Sequence, residues 1–461
     1  MDDPFRIHNA HLDDAAAFSS LDPHLRRLEK QPLVHRSALL RRLPRQRPGI
    51  YTIGGGRQIG KTTLLKQWMA DLLHSGTTPE RIAFFTGELI DDQHALVRRL
   101  GDHLERMPTG TRYLLIDEVT YIRRWEHGIK FLADSGLLAG AVVVLSGSDL
   151  AVIKEARMGF PGRRGTADEV DFQLYPLSFA EFVRLAGVLS TAEQEALAKP
   201  DFEPAAASIE AVFAAFERYL LHGGFLTAIN DVARNGHIPP ATFAVYSDWI
   251  RGDVLKRRKS ETYLREILTA IGRRLGSPIS WNNLAQDLSI DHPATVSDYI
   301  ALLSDLDVLF VQPALIEDRL APAPKKPRKV MFADPFIHHA VQSWLWPTAD
   351  PQAEQAEPCI EDPDRSARLV EASAACHVRR HFPTLYIRAA GEVDIAYLHR
   401  GRFWPIEVKW TGQMRPKDLK QIAKYPNGRI WNRARQPGIS GGVPSEPLPL
   451  ALLKLDAGGY N

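Results

Sequence analysis

A glycine-rich stretch near the N-terminus carries the clearest chemistry in the chain. The segment "GGRQIGKTT" (55–63) fits the pattern G-x-x-x-x-G-K-[ST]. Glycines let backbone N–H groups surround phosphate oxygens, and a helix that begins at this point turns its positive end toward them. The lysine reaches the β- and γ-phosphates, and the threonine hydroxyl binds Mg²⁺. The pattern therefore predicts an ATP and Mg²⁺ site formed by Gly55, Gly60, Lys61, Thr62 and Thr63.

Two acids at the end of an apolar run belong to the same predicted site. The run "RYLLIDEV" (112–119) ends in Asp117 and Glu118, at the sheet edge where open α/β folds bind ligands. Asp117 suits the Mg²⁺ shell, and Glu118 suits the base that polarises the attacking water. A pair of solvated acids without a role is the alternative. In the next run, "SGSD", Ser146 or Ser148 would sense the γ-phosphate or would simply form a turn.

A second group of acids lies near the C-terminus in "GEVDIAYLHRGRFWPIEVKW" (391–410). Asp394 lies on one strand-like run, while Glu407 and Lys409 are two apart on the next and so leave the same face. With Glu371 from an upstream helix, the carboxylates can hold Mg²⁺ for phosphodiester cleavage, and Lys409 can stabilise the developing charge. The alternative is an ordinary hairpin, because E-x-K pairs are frequent on exposed strands.

The elements that position these residues follow from the pattern of apolar runs. A chain of 461 residues exceeds one compact core. Strand–helix alternation over 49 to about 180 predicts a parallel sheet covered by helices. After a helical stretch, residues 263–315 have the rhythm of a helix-turn-helix followed by a strand. The polar face of its second helix, including Thr295, Ser297 and Asp298, is not basic, so DNA contact and protein contact both remain open.

The last part of the chain shows a further pattern of elements. Residues 346–366 are rich in Pro, Ala and acids, which predicts a linker. The order helix, strand, strand, helix is expected from 367 onward, with a last strand at "PLALLKL" (449–455). In "KDLKQIAKY", a helix would place Gln421 and Tyr425 on one face.

Composition and charge limit the cellular setting and the partners. Two cysteines without metal-ligand spacing suit a reducing cytoplasm, and no apolar run approaches the roughly 18 residues of a membrane span. We therefore expect a cytoplasmic protein that has no membrane partner. Basic clusters at 24–47, "KRRK" (256–259) and "KKPRK" (325–329) favour nucleic acid, although solvated surfaces explain each cluster equally well.

Four segments together resemble one family of predicted prokaryotic ATPases: "GGGRQIGKTTLL", "LLIDEVTYIRRWEHGIKFLAD", "YPLSFAEF" and "LHGGFLTAI". Members of that family join an AAA-superfamily ATPase domain to a C-terminal domain of unknown function with a winged helix and a restriction-endonuclease-like fold. The resemblance covers roughly 20–455. It implies that Arg163, in the pair Gly162–Arg163, completes a neighbouring subunit's site in a homo-oligomer, with Arg164 adjacent; local pairing with acids is the alternative. Thr120 stands where relatives often carry Gln, which puts that residue's role in doubt here.

The C-terminal acids also resemble the PD-(D/E)XK nucleases, with Val393–Asp394 in place of Pro-Asp. The Gln-x-x-x-Tyr element formed by Gln421 and Tyr425 is similar to a motif of the recombination-exonuclease branch of that group. This resemblance implies that Glu371, Asp394 and Glu407 hold the metal and that Lys409 assists the reaction. The order of these residues on helix, strand, strand and helix carries the resemblance.

The sequence therefore predicts an α/β chain with a P-loop AAA-type parallel-sheet domain, a helical and winged-helix middle, and a C-terminal restriction-endonuclease-like domain. We expect ATP hydrolysis coupled to a Mg²⁺-dependent nuclease acting on DNA; the alternative is a nucleotide-dependent switch that binds DNA or a protein without cutting. A protein partner would use the winged helix. The predicted domains are a basic N-terminal segment (1–48), the ATPase (49–185), a helical lid (186–250), the winged helix (251–345), the linker (346–366) and the nuclease-like domain (367–461).

Overall fold

The structure is a computed structural model that describes residues 4–148, 150–196, 199, 205–411 and 419–458. The chain divides into two compact units, one formed by 1–175 with 305–307 and the other by 176–304 with 308–461. Within the described ranges, no helix combines the length and the apolar character that crossing a bilayer requires.

The first unit is built on a parallel sheet. Its strands are β1 (Gly49–Gly54), β2 (Ile82–Thr86), β3 (Arg112–Asp117), β4 (Ala141–Gly147) and β5 (Asp171–Gln173). Its α-helices are α1 (Phe18–Leu21), α2 (Pro23–Glu29), α3 (Leu39–Arg42), α4 (Lys61–His74), α5 (Gln93–Leu104), α6 (Trp125–Asp134) and α7 (Ala151–Gly159). Short 3₁₀ helices span Arg6–Leu12, Pro79–Arg81, Gly87–Leu89 and Val119–Tyr121. The strand order is β2-β3-β4-β1-β5 with every pair parallel, which confirms the predicted sheet.

Side chains of each strand alternate between two buried layers. In β3, Leu114 and Ile116 pack in the layer that contains residues of α5 and α6. Tyr113 and Leu115 pack on the other face with residues of α4. A strand that is buried on both faces needs apolar side chains at nearly every position, which explains the continuous apolar runs in the sequence.

A fully buried ion pair attaches the N-terminal helices to the helix that follows the glycine-rich loop. Lys66 of α4 lies 3.1 Å from Asp22, and neither side chain has exposed surface. The Lys66 ammonium also donates to the His8 carbonyl and lies 3.9 Å from the centre of the Phe84 ring. Asp22 in turn accepts hydrogen bonds from the first backbone N–H groups of α2, so that one carboxylate begins a helix and neutralises a buried cation.

The second unit combines a helical half with a mixed sheet. After residue 176 the α-helices are α8 (Phe179–Leu185), α9 (Thr191–Ala196), α10 (Ala206–His222), α11 (Leu226–Asn235), α12 (Pro240–Lys256), α13 (Glu261–Arg273), α14 (Trp281–Gln286), α15 (Pro293–Asp305), α16 (Pro335–Leu345), α17 (Glu357–Glu361), α18 (Pro363–Arg379) and α19 (Leu448–Asp456). The strands are β6 (Leu309–Gln312), β7 (Leu315–Ile316), β8 (Ala321–Pro322), β9 (Lys329–Phe332), β10 (Thr384–Arg388), β11 (Glu392–His399), β12 (Arg402–Lys409), β13 (Arg429–Asn432), β14 (Gly438–Ser440) and β15 (Val443–Pro447).

Two kinds of sheet occur in this unit. β10, β11, β12, β13, β15 and β14 form one mixed sheet in that order, in which β12, β13 and β15 are parallel. β6 pairs with β9 in an antiparallel ribbon that follows α13, α14 and α15. Three helices followed by an antiparallel ribbon suit the predicted winged helix, whose assignment stays a prediction.

The two least common motifs of the sequence, "YPLSFAEF" and "LHGGFLTAI", meet in the second unit. Leu177 and Gly224 pair through their backbones at 2.8 Å. The Gly224 N–H donates to Asp334 at 2.8 Å, and Ser178 begins α8 through a reciprocal capping box with Glu181. A Cβ on Gly224 would lie 2.1 Å from the Leu177 carbonyl oxygen, so the site requires glycine.

Three expectations about the C-terminal third differ from the structure or lie partly outside it. In the predicted linker 346–366, Gln352–Ala356 form a π-helical turn, α17 follows, and α18 begins. The run "PLALLKL" lies in α19, so the predicted strand is wrong. The pattern misled because a short run of buried apolar side chains suits a strand and a helix equally well. The predicted helix "KDLKQIAKY" begins outside the described residues, and Ile422–Lys424 form a 3₁₀ turn. The domain boundaries themselves stay predictions.

The close approach at Gly224 can be tested by adding a methyl group. We expect Gly224→Ala to lower the free energy of unfolding by about 1–3 kcal/mol, because the new Cβ overlaps the Leu177 backbone. Chemical denaturation of the full chain measures this change. Gly252→Ala within α12 is the control, since no atom lies within 4 Å of the added Cβ, and it should be neutral or stabilising. Equal effects of the two substitutions would contradict the prediction.

Candidate functional sites

The glycine-rich loop joins β1 to α4 through backbone conformations that suit glycine. Gly60, which precedes the first residue of α4, has φ 93° in the left-handed region. At Gly55 a Cβ would lie 2.3 Å from the Leu174 carbonyl oxygen. The loop therefore needs glycine at both positions of the sequence pattern, for the close approach at 55 and for the positive φ at 60.

Lys61 directs its ammonium back into this loop. The Nζ atom donates to the carbonyls of Gly55 at 3.1 Å and Gly56 at 2.7 Å, and the residue is buried. It also lies 4.0 Å from Glu118 Oε1. The ammonium is thus held inside the loop, where it would meet the phosphates of a nucleotide.

The strand order brings the remaining predicted residues together. β4 lies between β1 and β3, so the ends of these three strands are adjacent. Thr62 Oγ1 donates to Asp117 Oδ2 at 2.6 Å, and the Ser146 hydroxyl donates to Oδ1 of the same carboxylate. Hydroxyl and carboxylate oxygens are ligands that Mg²⁺ prefers, so Thr62 and Asp117 fit this ion.

Glu118 occupies a strained and partly buried position beside these groups. Its backbone has φ 51° and ψ 43°, an uncommon conformation for a residue other than glycine. Burial raises the pKa of its carboxyl group, the nearby Asp117 charge adds to this, and Lys61 and a hydrogen bond with Ser148 oppose it. Among the described residues, its buried Oε2 has no hydrogen-bond partner. A partly buried carboxylate with one oxygen unpaired is suited to accept a proton from a bound water.

The two predicted arginines pair with acids of their own unit. Arg163 donates to both carboxylate oxygens of Asp134, with Nη2 3.2 Å from Oδ2. Arg164 donates to the Ile50 carbonyl at 2.8 Å and also to Asp171, and its side chain is 12% exposed. Arg164 therefore fastens the edge of the sheet, while action of Arg163 in a neighbouring subunit stays a prediction.

The C-terminal acids surround Lys329, a residue whose basic run predicted a position on the surface. Lys329 Nζ lies 2.8 Å from Glu371 Oε1, 2.7 Å from Glu392 Oε1 and 3.3 Å from Asp394 Oδ1. Its side chain has no exposed surface. Burial lowers the pKa of Lys329, but the neighbouring carboxylates raise it more, so the group stays charged. Lys329 belongs to the "KKPRK" run, for which phosphate contact and a solvated surface were both open, and its burial excludes both interpretations for this residue.

Glu407 and Lys409 lie on β12 beside Asp394. Lys409 Nζ is 2.6 Å from Glu407 Oε1, whereas the buried Glu407 Oε2 has no hydrogen-bond partner among the described residues. The Val408 N–H donates to Asp394 Oδ2 at 2.9 Å. Burial and the Asp394 charge raise the pKa of Glu407 to about 8 and that of Glu371 to about 7. The structure thus brings together the four residues that the sequence predicted here.

The predicted Gln421 and Tyr425 also contact each other. The Gln421 amide donates to the Tyr425 hydroxyl at 3.2 Å, and that hydroxyl donates to Glu317 at 3.0 Å. Lys424 donates to the Gln421 carbonyl oxygen at 2.9 Å. These residues form a separate polar chain, and within the described ranges no hydrogen bond or ion pair joins it to Asp394 or Glu407.

The carboxylates do not fit a divalent cation in this arrangement. One oxygen each of Glu371 and Asp394 is bound to the Lys329 ammonium, and one oxygen of Glu407 is bound to Lys409, so the cluster already holds two cations. In the part of the chain that the structure describes, no three acid, histidine or cysteine side chains are placed to hold a metal ion. The metal role of Glu371, Asp394 and Glu407 stays a prediction.

The sequence contained a signal that Lys329 is buried, but a count of charges in the basic run does not reveal it. The first four residues of its run are polar or proline, but Lys329 itself begins the strand "KVMF", in which all four residues are buried. A lysine inside a buried strand must meet acids. Glu392, the third carboxylate that contacts this lysine, was missed because it lies at the half-buried first position of β11 and belongs to no predicted motif.

Two parts of the chain match known protein families. Residues 47–183 match the family described as "AAA domain", and residues 214–347 match the one described as "Domain of unknown function (DUF8612)". Together with the parallel sheet and the glycine-rich loop, the first match identifies residues 47–183 as an AAA-type ATPase domain.

Individual relatives are distant. An uncharacterized protein from Haemophilus influenzae is 22% identical over 267 residues, which are 56% of this chain and 60% of the relative. The chain thus spans 60% of the length of the curated relative that it matches. Similar solved structures include the Aeropyrum pernix Orc1 protein in complex with DNA (13% identity, 74% of this chain and 93% of that chain, TM-score 0.29) and a RuvB variant from Thermotoga maritima (17% identity, 57% and 81%, TM-score 0.26). TM-scores this low establish no shared overall fold.

The raised pKa of Glu407 predicts a pH-dependent stability. Because burial and the Asp394 charge raise the pKa of Glu407 from 4.5 to about 8, we expect the folded protein to hold this proton at neutral pH. The resulting stabilisation is complete below pH 4.5 and is lost as the pH rises through about 8. We expect Glu407→Gln to remove this contribution. The free energy of unfolding of the variant should therefore fall less than that of wild type between pH 5 and 8.5.

Denaturation in metal-free buffer at a series of pH values measures this difference. Glu361→Gln, at an exposed position of α17, is the matched control and should follow the wild-type curve. Parallel pH profiles for Glu407→Gln and wild type would show that this carboxyl group does not titrate abnormally.

Proposed function

We propose that the first unit hydrolyses ATP. The observation that carries this proposal is the convergence of Lys61, Thr62, Asp117 and Glu118 at adjacent strand ends, with Thr62 and Asp117 in direct contact. Thr62 and Asp117 would hold Mg²⁺, which supplies positive charge against the phosphates when it is bound. Ser146 keeps the Asp117 carboxylate in place through its hydroxyl group.

Glu118 is the proposed base. Its unpaired oxygen would accept a hydrogen bond from the attacking water and orient that water toward the γ-phosphate. The Lys61 ammonium would stabilise negative charge on the phosphates. It also lies 4.0 Å from Glu118 Oε1, where its positive charge favours the ionised form of that carboxyl group. Ser148 forms a hydrogen bond with the Glu118 carboxyl group and would hold it in position for this step.

Glu118→Gln tests this assignment. We expect kcat for ATP hydrolysis to fall by about 10²–10⁴-fold with little change in ATP affinity, because the amide cannot take up the proton. Since the pKa of Glu118 is raised, the wild-type rate should also fall on the acidic side at a higher pH than an ordinary glutamate would give. Phosphate release and nucleotide binding are the measurements. Glu105→Gln, at an exposed residue beyond α5, is the control, and equal rates for both variants would remove Glu118 from the mechanism.

We also propose that the protein assembles into a homo-oligomer in which Arg163 reaches a neighbour's nucleotide. In the single chain, Arg163 is engaged by Asp134, so this function requires that pair to open. Light scattering with ATP and DNA tests the assembly. A persistent monomer under these conditions counts against it.

For the second unit we propose contact with DNA. Basic side chains of the middle segment lie on its surface, including Lys256, Arg257, Arg258, Lys325 and Lys326. Exposed cations of this kind neutralise phosphates. α14, α15 and the β6–β9 ribbon are the proposed winged helix, through which a protein partner is the alternative to DNA.

Cleavage of DNA by a Mg²⁺-dependent nuclease-like domain under the control of ATP is the second candidate function. It is favoured by the convergence of Glu371, Asp394, Glu407 and Lys409. The rival is a nucleotide-dependent switch that binds DNA or a protein without cutting, and it is favoured by the position of Lys329 among the acids.

A cleavage assay separates these two candidates. Supercoiled, linear, single-stranded and branched DNA are incubated with Mg²⁺ or Mn²⁺, with and without ATP. If the nuclease is active, Lys409→Ala should abolish cutting without loss of DNA binding, and Lys61→Ala should reveal the direction of ATP control. ATP hydrolysis without cutting of any substrate would support the switch.

A further inference from the structure

The most unusual group of the second unit is the buried ammonium of Lys329. It contacts Glu371 of α18 together with Glu392 and Asp394 of β11. The lysine itself comes from β9, in the segment proposed as a winged helix. A cation from one segment is therefore enclosed by the acids of another.

This contact is fixed by its surroundings. Lys329 pairs with Gln312 across the β6–β9 ribbon. The buried Gln312 amide donates to the Leu385 carbonyl at 2.8 Å and to the Asp394 carbonyl at 2.9 Å, so two neighbouring side chains of the ribbon reach the same sheet. The Arg328 backbone is anchored as well, because it pairs with Ile279.

The position of Lys329 competes directly with a metal. Its ammonium lies within 3.3 Å of one oxygen of each of three carboxylates. A divalent cation would need carboxylate oxygens of this cluster at about 2.0–2.6 Å. A metal bound to this cluster would lie beside the Lys329 ammonium, so the two cations would compete for the same carboxylates and repel each other.

We propose that the Lys329 ammonium takes the place of a divalent cation and closes the acid cluster to Mg²⁺ and Mn²⁺. This inference deepens the candidate nuclease function, on which it rests, by assigning a regulatory contact to the same site. Cleavage would then require the β6–β9 ribbon to withdraw Lys329 from Glu371 and Asp394. The signal that withdraws it would act on the segment proposed to contact DNA or a protein partner.

Mn²⁺ binding to the full chain without nucleotide tests the proposal independently of cleavage. The probe is Mn²⁺ itself, followed by titration calorimetry and by thermal unfolding. For wild type, we expect no binding that depends on Asp394, so that Asp394→Asn gives the same isotherm. Wild-type Mn²⁺ binding that is lost in Asp394→Asn would overturn the proposal without any need for a lysine variant.

The proposal requires that Mn²⁺ binding be gained when the ammonium is removed, and Lys329→Met tests this. Removal of the ammonium frees the carboxylates, so saturating Mn²⁺ should raise the Tm by about 2–4 °C or more, and adding Asp394→Asn should abolish the rise. Lys326→Met, in the same basic run but at an exposed position, is the control and should behave as wild type. A folded Lys329→Met protein that gains no Mn²⁺ binding overturns the proposal.

Loss of Lys329 leaves buried carboxylates without a cation and can prevent folding. The double variant Lys329→Met with Glu392→Gln removes one of these charges and keeps the acids of the predicted metal site. Should neither variant fold, the wild-type comparison with Asp394→Asn decides the matter alone. Wild-type binding that is indifferent to Asp394 supports closure, and binding that depends on Asp394 refutes it.

Cleavage assays with the same proteins separate this proposal from the nuclease function. If Lys329→Met gains Mn²⁺ but cuts no DNA, the closure is correct and the nuclease function fails. If wild type binds Mn²⁺ through Asp394 and cuts, the closure fails and the nuclease function stands. Cutting by Lys329→Met alone supports both.

Discussion

The Asp117 carboxylate is the contact on which the proposed chemistry of the first unit depends. It accepts from Thr62 at the start of α4 and from Ser146 at the end of β4, while it lies at the end of β3. One side chain therefore joins three segments that are distant in sequence. The contact exists because β4 lies between β1 and β3, so the strand order creates the site before any individual side chain is considered.

The sequence predicted this unit well because its signals are local. Each strand is a short apolar run, and the Gly55–Thr63 pattern fixes a loop conformation through steric requirements that only glycine meets. The later part was harder to predict. "PLALLKL" is apolar on all sides, so periodicity does not separate a buried strand from the helix α19 that is observed.

The acid cluster shows a second limit of prediction from sequence. Strand alternation grouped Glu407 and Lys409, because side chains two apart share a face, and the pairing of β11 with β12 brings Asp394 beside them. Their true neighbour Lys329 is 42 residues from Glu371 and 65 from Asp394 in sequence, and only tertiary packing joins them. A count of charges assigned Lys329 to the surface, whereas the burial of its strand decides its role.

The buried pair of Lys66 and Asp22 determines how the ATPase domain can be isolated. The matched AAA segment starts at residue 47, which excludes Asp22. A fragment that began there would keep Lys66 on the helix that follows the glycine-rich loop but would lose its counterion, at a cost of about 3–5 kcal/mol. The helices before the sheet are therefore part of the folded ATPase unit. A protease that removed them would weaken the proposed nucleotide site without cutting any residue that is proposed to bind nucleotide.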